Sequence, residues 1–216
     1  MKFRAVIFDF DGTLLDTLRD LAESVNAVLS RSGLPQHDLE QYRHFVGEGV
    51  EELARRVLPE GHRDKATIAN TISAVKEEYR QRWPNNTRPY EGIPELLDEL
   101  SARRVKMAIV TNKPEDSTRN MAATLLPRWK FDAIVGATPD LPRKPDPTGA
   151  LEAARRLGLP PEAFLYVGDS DIDMKTANAA GMYAVGALWG FRDADELIKN
   201  GAKALISKPL ELLDLL

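Results

Sequence analysis

Short, nearly uninterrupted apolar runs recur along the chain, and longer stretches with helical spacing lie between them. Val6-Ile7-Phe8 is followed by Met107-Ala108-Ile109-Val110, Ala133-Ile134-Val135, Phe164-Leu165-Tyr166-Val167, Tyr183-Ala184-Val185 and Ala204-Leu205-Ile206. Runs of this length, rich in Val and Ile and without polar alternation, predict strands covered on both faces. The intervals carry helix signals. Ile93, Leu96, Leu97 and Leu100 recur at i, i+3, i+4 and i+7, with Pro94 suited to a first turn. Asp146-Pro147 reads as a cap and first-turn proline ahead of Leu151, Ala154 and Leu157, and Asp193 with Glu196 as a capping box. Strand and helix in alternation predict parallel βαβ units, hence an α/β fold with a doubly wound parallel sheet.

One interval breaks this rhythm. About 80 residues after the first strand carry no strand signal, too many for an ordinary connection. Leu18, Leu21, Ala22, Val25, Val28 and Leu29 form one helical stripe; Val50, Leu53, Ala54, Val57 and Leu58 form another. Ile68, Ile72, Val75, Tyr79 and Trp83 form a third, with a shorter helix expected over 38–46. This predicts an inserted helical cap subdomain over 17–85, with the α/β catalytic core in 1–16 and 86–216. The turn-rich Trp83-Pro84-Asn85-Asn86 marks its exit.

In an open parallel sheet, ligands bind beyond the carboxyl ends of the strands. The residues just past each apolar run are therefore the candidates for chemistry. Asp9, Asp11, Gly12 and Thr13 come after the first; Thr111, Asn112 and Lys113 after the second; Arg143-Lys144-Pro145 after the third; Gly168, Asp169, Ser170, Asp171 and Asp173 after the fourth. Singly, each is an ordinary turn, cap or solvated residue. Jointly they place carboxylates, a hydroxyl–amide pair and a lysine on one sheet edge. Crowded carboxylates repel, and a hard divalent cation relieves them. Oxygen ligands with no Cys and no paired His fit Mg²⁺ and fit zinc badly. Thr111, Asn112 and Lys144 are donors for an anion, so the edge reads as a phosphoryl-transfer centre.

Composition narrows the alternatives. The chain has 216 residues, no Cys and a net charge of −4. Disulfides, thiolate metal sites and cysteine nucleophiles are thereby excluded. Mild acidity argues against nucleic acid as a partner, and no apolar run is long enough to span a membrane. The first apolar run is broken at once by Asp9 and Asp11, unlike a signal peptide, so the cytoplasm is the expected location.

Asp9-Phe10-Asp11-Gly12-Thr13-Leu14-Leu15-Asp16 resembles the signature of the haloacid dehalogenase superfamily, and Val110-Thr111-Asn112-Lys113, Arg143-Lys144-Pro145 and Gly168-Asp169-Ser170-Asp171-Ile172-Asp173 come next in family order. Phe45-Val46-Gly47-Glu48-Gly49-Val50-Glu51-Glu52-Leu53 is similar to the cap loop of the phosphoglycolate phosphatase branch. The resemblance covers the whole chain and implies a Rossmann-like core. It implies Asp9 as nucleophile, forming an aspartyl-phosphate, and Asp11 as general acid and then base. It also implies Mg²⁺ on Asp9, the Asp11 carbonyl and Asp169, with Asp173 as a further ligand or as the holder of a metal-bound water, and Thr111, Asn112 and Lys144 at the phosphoryl oxygens. Lys144 would offset the charge there. The implied activity is Mg²⁺-dependent hydrolysis of a small phosphomonoester, with 2-phosphoglycolate as the first expectation.

Asp11 separates this chain from dehalogenases and phosphonatases, which lack an Asp at that position. The β-phosphoglucomutase branch usually carries a His where this chain has Leu21, which favours hydrolysis over a sugar-phosphate mutase. A pyrophosphatase or nucleotide phosphatase, and a non-catalytic binding protein on the same fold, are the remaining alternatives. Arg43, Gly47 and Glu48 are the cap candidates for substrate binding, Arg43 by pairing with a substrate carboxylate. The expected assembly is a monomer or homodimer.

Overall fold

The computed structural model describes residues 3–216. They divide into two compact units: one ends at Leu15 and resumes over Pro89–Leu216, and the other is Asp16–Arg88. In chain order the elements are strands β1 (Ala5–Phe8) and β2 (Leu15–Asp16), then helices α1 (Leu18–Arg31), α2 (Leu39–Phe45), α3 (Val50–Val57) and α4 (Lys65–Arg82). After β3 (Arg88–Pro89) come α5 (Ile93–Ala102), β4 (Lys106–Pro114), α6 (Glu115–Leu125), β5 (Ala133–Ala137) and α7 (Thr148–Leu157). The chain ends with β6 (Phe164–Gly168), α8 (Asp171–Ala179), β7 (Tyr183–Ala187), α9 (Ala194–Lys199) and β8 (Ala204–Ile206) before a short 3₁₀ segment, Pro209–Leu215.

Among the described residues, six strands form one parallel sheet in the order β5-β4-β1-β6-β7-β8. The chain runs outward from β1 through β4 to β5, then returns past β1 to build β6, β7 and β8 on the other side. That reversal makes the carboxyl ends of β1 and β6 the switch point where a doubly wound sheet binds ligands. Ala133, Ala108, Ile7, Tyr166 and Ala184 align across one face of the sheet. Ala150, Ala153, Ala154 and Leu157 of α7 and Met174 and Ala177 of α8 pack on it. Small residues on both sides let helix and sheet approach closely and exclude voids.

Two element ends differ from the sequence reading. β4 extends to Pro114 rather than stopping near Val110, and its register with β5 shifts between those residues. Thr111, Asn112 and Lys113 thus lie in an irregular strand end, which lets their side chains depart from strict alternation. α7 starts at Thr148, whose N–H donates to Asp146 Oδ1 at 2.9 Å, so Asp146 caps from one residue further out. Asp193 caps α9 through the Glu196 N–H, but Glu196 Oε1 accepts from Arg192 Nε at 3.1 Å instead of closing the box.

In the helical unit α1 packs on α2 and α4, and α3 on α4. Val25, Leu29, Tyr42, Leu53, Val57, Ile68 and Val75 fill its interior. Tyr42 Oη donates to Asn26 Oδ1 at 2.8 Å, and the His37 ring meets Tyr42 and Phe45 edge-on. The unit extends to Arg88 because Asp20, in the first turn of α1, accepts hydrogen bonds from Asn86 and Thr87. No helix among the described residues is long and apolar enough to cross a membrane.

Candidate active site

Asp9 follows β1 and keeps the strand pairing, its N–H donating to Val167 O at 2.9 Å. The chain then turns tightly: the Gly12 N–H donates to Leu15 O, and Gly12 sits at φ +85°. A Cβ at Gly12 would come within 2.3 Å of Asp169 Oδ2, so both the backbone angle and the space require glycine there. The turn carries Thr13 onto Asp169: its Oγ1 donates to Asp169 Oδ1 at 2.9 Å. From the other side, the Phe191 N–H donates to Asp169 Oδ2 at 2.8 Å, and Gly190 leaves room for the Asp169 side chain. Trp189 Nε1 donates to Thr13 O at 2.9 Å and ties the two flanks together.

Lys144 occupies the connection between β5 and α7 and is buried. Its Nζ stands 2.8 Å from Asp9 Oδ1, an ion pair without the alignment of a good hydrogen bond, and donates to Asp173 Oδ1 at 2.7 Å. Asn112 fixes the lysine backbone from both sides: its Nδ2 donates to Lys144 O at 3.0 Å, and Lys144 N–H donates to its Oδ1 at 2.8 Å. Asp173 is held in turn by the cap of α8, with Ser170 N–H and Oγ donating to Asp173 Oδ2 at 3.1 and 2.6 Å. Thr111 is buried beside Asn112, its Oγ1 accepting from the Lys113 N–H at 3.2 Å. Lys113 Nζ pairs with both oxygens of Asp11 at 3.2 Å.

The electrostatics arise from crowding in a dry place. Burial, then Asp173 and Asp169, push the Asp9 carboxyl up to about 8 against the pull of Lys144. Burial and Asp173 push Asp169 up to about 7, opposed by Phe191 N–H and Thr13. Burial works against the Lys144 charge, but Asp173 and Asp9 outweigh it and hold the ammonium well above its usual range. Asp9, Asp169 and Asp173 each offer an oxygen within 4.8 Å of the others. With all three ionised, the carboxylates and one ammonium leave two negative charges, which one divalent cation cancels. The donor set is all oxygen, so these residues fit a hard cation.

The structure thus brings Asp9, Asp169, Asp173 and Lys144 into one cluster, and bonds Asn112 to Lys144 and Asp11 to Lys113. Thr111 lies next to Asn112 in β4, and the cap candidates lie in the helical unit. Arg43 stands 3.6 Å from Glu40, Glu48 pairs with Arg56, and Gly47 takes φ +126° in the turn between α2 and α3. Sequence reasoning missed Thr13 and the Trp189-Gly190-Phe191 turn as supports of Asp169. Each follows a strand end on the same edge, which was the available signal.

Residues 6–187 match the family described as haloacid dehalogenase-like hydrolase. The phosphoglycolate phosphatase of Aquifex aeolicus is 31% identical over 213 residues, covering 99% of this chain and 96% of the relative. That of Xanthomonas campestris pv. campestris (strain 8004) is 35% identical over 218 residues, covering 98% and 96%. A haloacid dehalogenase-like family hydrolase from Streptococcus pneumoniae superimposes with a TM-score of 0.89 at 26% identity, covering 99% of this chain and 98% of that one.

Proposed function

The chain belongs to the haloacid dehalogenase-like hydrolases and is a phosphatase, and from that premise we propose that it hydrolyses 2-phosphoglycolate through an aspartyl-phosphate on Asp9, with Mg²⁺ as its metal. The observation that carries the assignment of roles is the Lys144 ion pair with Asp9, at the switch point of the sheet. Lys144 turns the buried Asp9 carboxylate toward a fixed direction and offsets charge as a phosphoryl group approaches. Asp9 attacks phosphorus, and the bond from phosphorus to the ester oxygen breaks. Asp11, two residues on across the Gly12 turn, gives its proton to the departing alkoxide. It then takes a proton from the water that attacks the aspartyl-phosphate, releasing phosphate and restoring Asp9.

Asp9, Asp169 and the Asp11 carbonyl would hold Mg²⁺, while both oxygens of Asp173 already serve Lys144 and Ser170. Bound there, the ion supplies positive charge to the carboxylates and the phosphoryl oxygens. Thr111 Oγ1 and the backbone at Asn112 donate to the phosphoryl oxygens. The test is phosphate release from a broad panel of phosphate esters with Mg²⁺ and with chelator. 2-Phosphoglycolate should lead the panel, and chelation should abolish turnover. Isomerised sugar phosphate from β-glucose 1-phosphate in place of free phosphate would overturn the reading.

A further inference from the structure

Lys113 has no task in the reaction proposed above, yet its placement is costly. It follows Asn112 in the irregular end of β4, and its side chain is 7% exposed, against 4% for Lys144. An ammonium is withdrawn from water to this degree only where negative charge receives it. The charge here is Asp11, with Nζ 3.2 Å from Oδ1 and 3.2 Å from Oδ2. Lys113 is therefore centred on the carboxyl group assigned to protonate the departing oxygen, whereas Lys144 pairs with Asp9 and Asp173.

We infer that Lys113 is a specificity residue that binds a carboxylate carried by the leaving group, so that the site selects phosphate esters of hydroxy acids. The inference rests on the reading of Asp11 as proton donor. In that reading the leaving oxygen comes within about 3 Å of an Asp11 oxygen. It then lies within roughly 6 Å of Lys113 Nζ, given proton-transfer reach. In the ester of a 2-hydroxy acid the carboxylate is one carbon removed from that oxygen, which puts it within reach of Nζ.

Charge points the same way. Once Asp11 has given up its proton, it and the carboxylate of the departing group are neighbouring anions, and without a cation between them the two repel. A lysine ammonium is a compact charge on a flexible stem, suited to shifting between two carboxylates, whereas an arginine fork would commit to one plane. A neutral leaving group gains nothing from the same lysine. The core unit thus carries a reader of the leaving group within its own strand β4.

The test compares 2-phosphoglycolate with ethyl phosphate, which has a methyl group in place of the carboxylate. The wild-type protein should prefer 2-phosphoglycolate, and Lys113→Met should reduce that preference by about 30-fold, mainly through a higher KM for 2-phosphoglycolate. Lys113→Arg should keep part of the preference, because the charge remains. Parallel losses on both esters in Lys113→Met, or an unchanged ratio, would overturn the inference and leave the phosphatase reading intact. Should Lys113→Met fail to fold, the same ratio in Lys113→Gln and Lys113→Arg decides the matter. A wild-type protein that hydrolyses both esters equally also overturns it; one that hydrolyses neither refutes the functional reading itself.

Discussion

Asp20 in the helical unit and Asp9 in the α/β unit are both shielded from water, and their surroundings are opposite. Asp20 Oδ2 accepts from the Asn86 and Thr87 N–H groups and the Thr87 hydroxyl at 2.9, 2.7 and 2.8 Å, and Oδ1 from the Asn86 amide at 2.7 Å. Four donors offset the burial of one charge and pin the return of the chain to the first turn of α1. Asp9 faces two further carboxylates and one ammonium that it shares with Asp173. The helical unit resolves its buried charge from within. The α/β unit leaves a deficit of positive charge at the place where a ligand can supply it, and that unresolved charge is available for chemistry.

Substituting the two aspartates alike should separate these roles. Asp9→Asn keeps the shape, removes the nucleophile and relieves repulsion from Asp169 and Asp173. Turnover should fall by about 10⁴-fold or more, with thermal stability equal to or above the parent. Asp20→Asn places an amide N–H₂ where the Asn86 amide or the Thr87 donors need an acceptor. It should lower stability by about 2 to 3 kcal/mol in a denaturant titration. Comparable stability losses from both substitutions would dissolve the contrast.

The pH dependence sharpens it further. In the folded, metal-free protein Asp9 and Asp169 keep their protons up to about 8 and 7, against an ordinary value of 3.8. The unfolded chain releases both protons just above pH 4 and the folded one does not, so raising the pH favours unfolding. The stabilisation is complete below the ordinary value and is lost as pH rises through 7 and then 8. Carboxylates held low, such as Glu78 and Glu115, are fully ionised in this window and add no slope. Lys144, held high, acts only in more alkaline solution. The melting temperature with chelator should therefore fall between pH 5 and 8, and saturating Mg²⁺ should remove the fall. A flat profile with chelator would count against the crowded cluster.

The sheet was legible because its strands are covered on both faces and read as unbroken apolar runs, from Val6-Ile7-Phe8 to Ala204-Leu205-Ile206. The candidate site residues were legible because the carboxyl ends of parallel strands converge on one edge whatever the strand order. Their supports were not. Thr13 meets Asp169, and Asn112 meets Lys144, through a sheet order that places β4 and β6 on either side of β1. Local patterning carries no information about that order. The contact of Lys113 with Asp11 joins the end of β4 to the turn after β1, and no hydrophobic period encodes it. The helix spacing of the inserted segment was plain, but the extension of its unit to Arg88 comes from four hydrogen bonds to one buried Asp20.

The smallest effects concern two capping boxes, one in each unit. Asp38 accepts from the Gln41 N–H at 2.8 Å, and Gln41 Oε1 accepts from the Asp38 N–H at 3.0 Å, which closes the start of α2. Ser170 and Asp173 make the same exchange at the start of α8, but Asp173 also holds Lys144 through its other oxygen. Asp38→Ala and Ser170→Ala should each lower stability by about 1 kcal/mol, the usual worth of a lost N-cap. Their effects on turnover should differ. Without the Ser170 hydroxyl, Asp173 Oδ2 keeps only the backbone N–H of residue 170, Asp173 is held less firmly, and the position of the Lys144 ammonium beside Asp9 loosens with it. Ser170→Ala should thus reduce kcat by about tenfold, an amount typical of a misplaced electrostatic partner, whereas Asp38→Ala should reduce it by no more than about twofold. The cap of α2 ends a helix. The cap of α8 also sets the position of a charge, so equal kcat losses from the two variants would mean that Asp173 needs no support from Ser170 to hold Lys144.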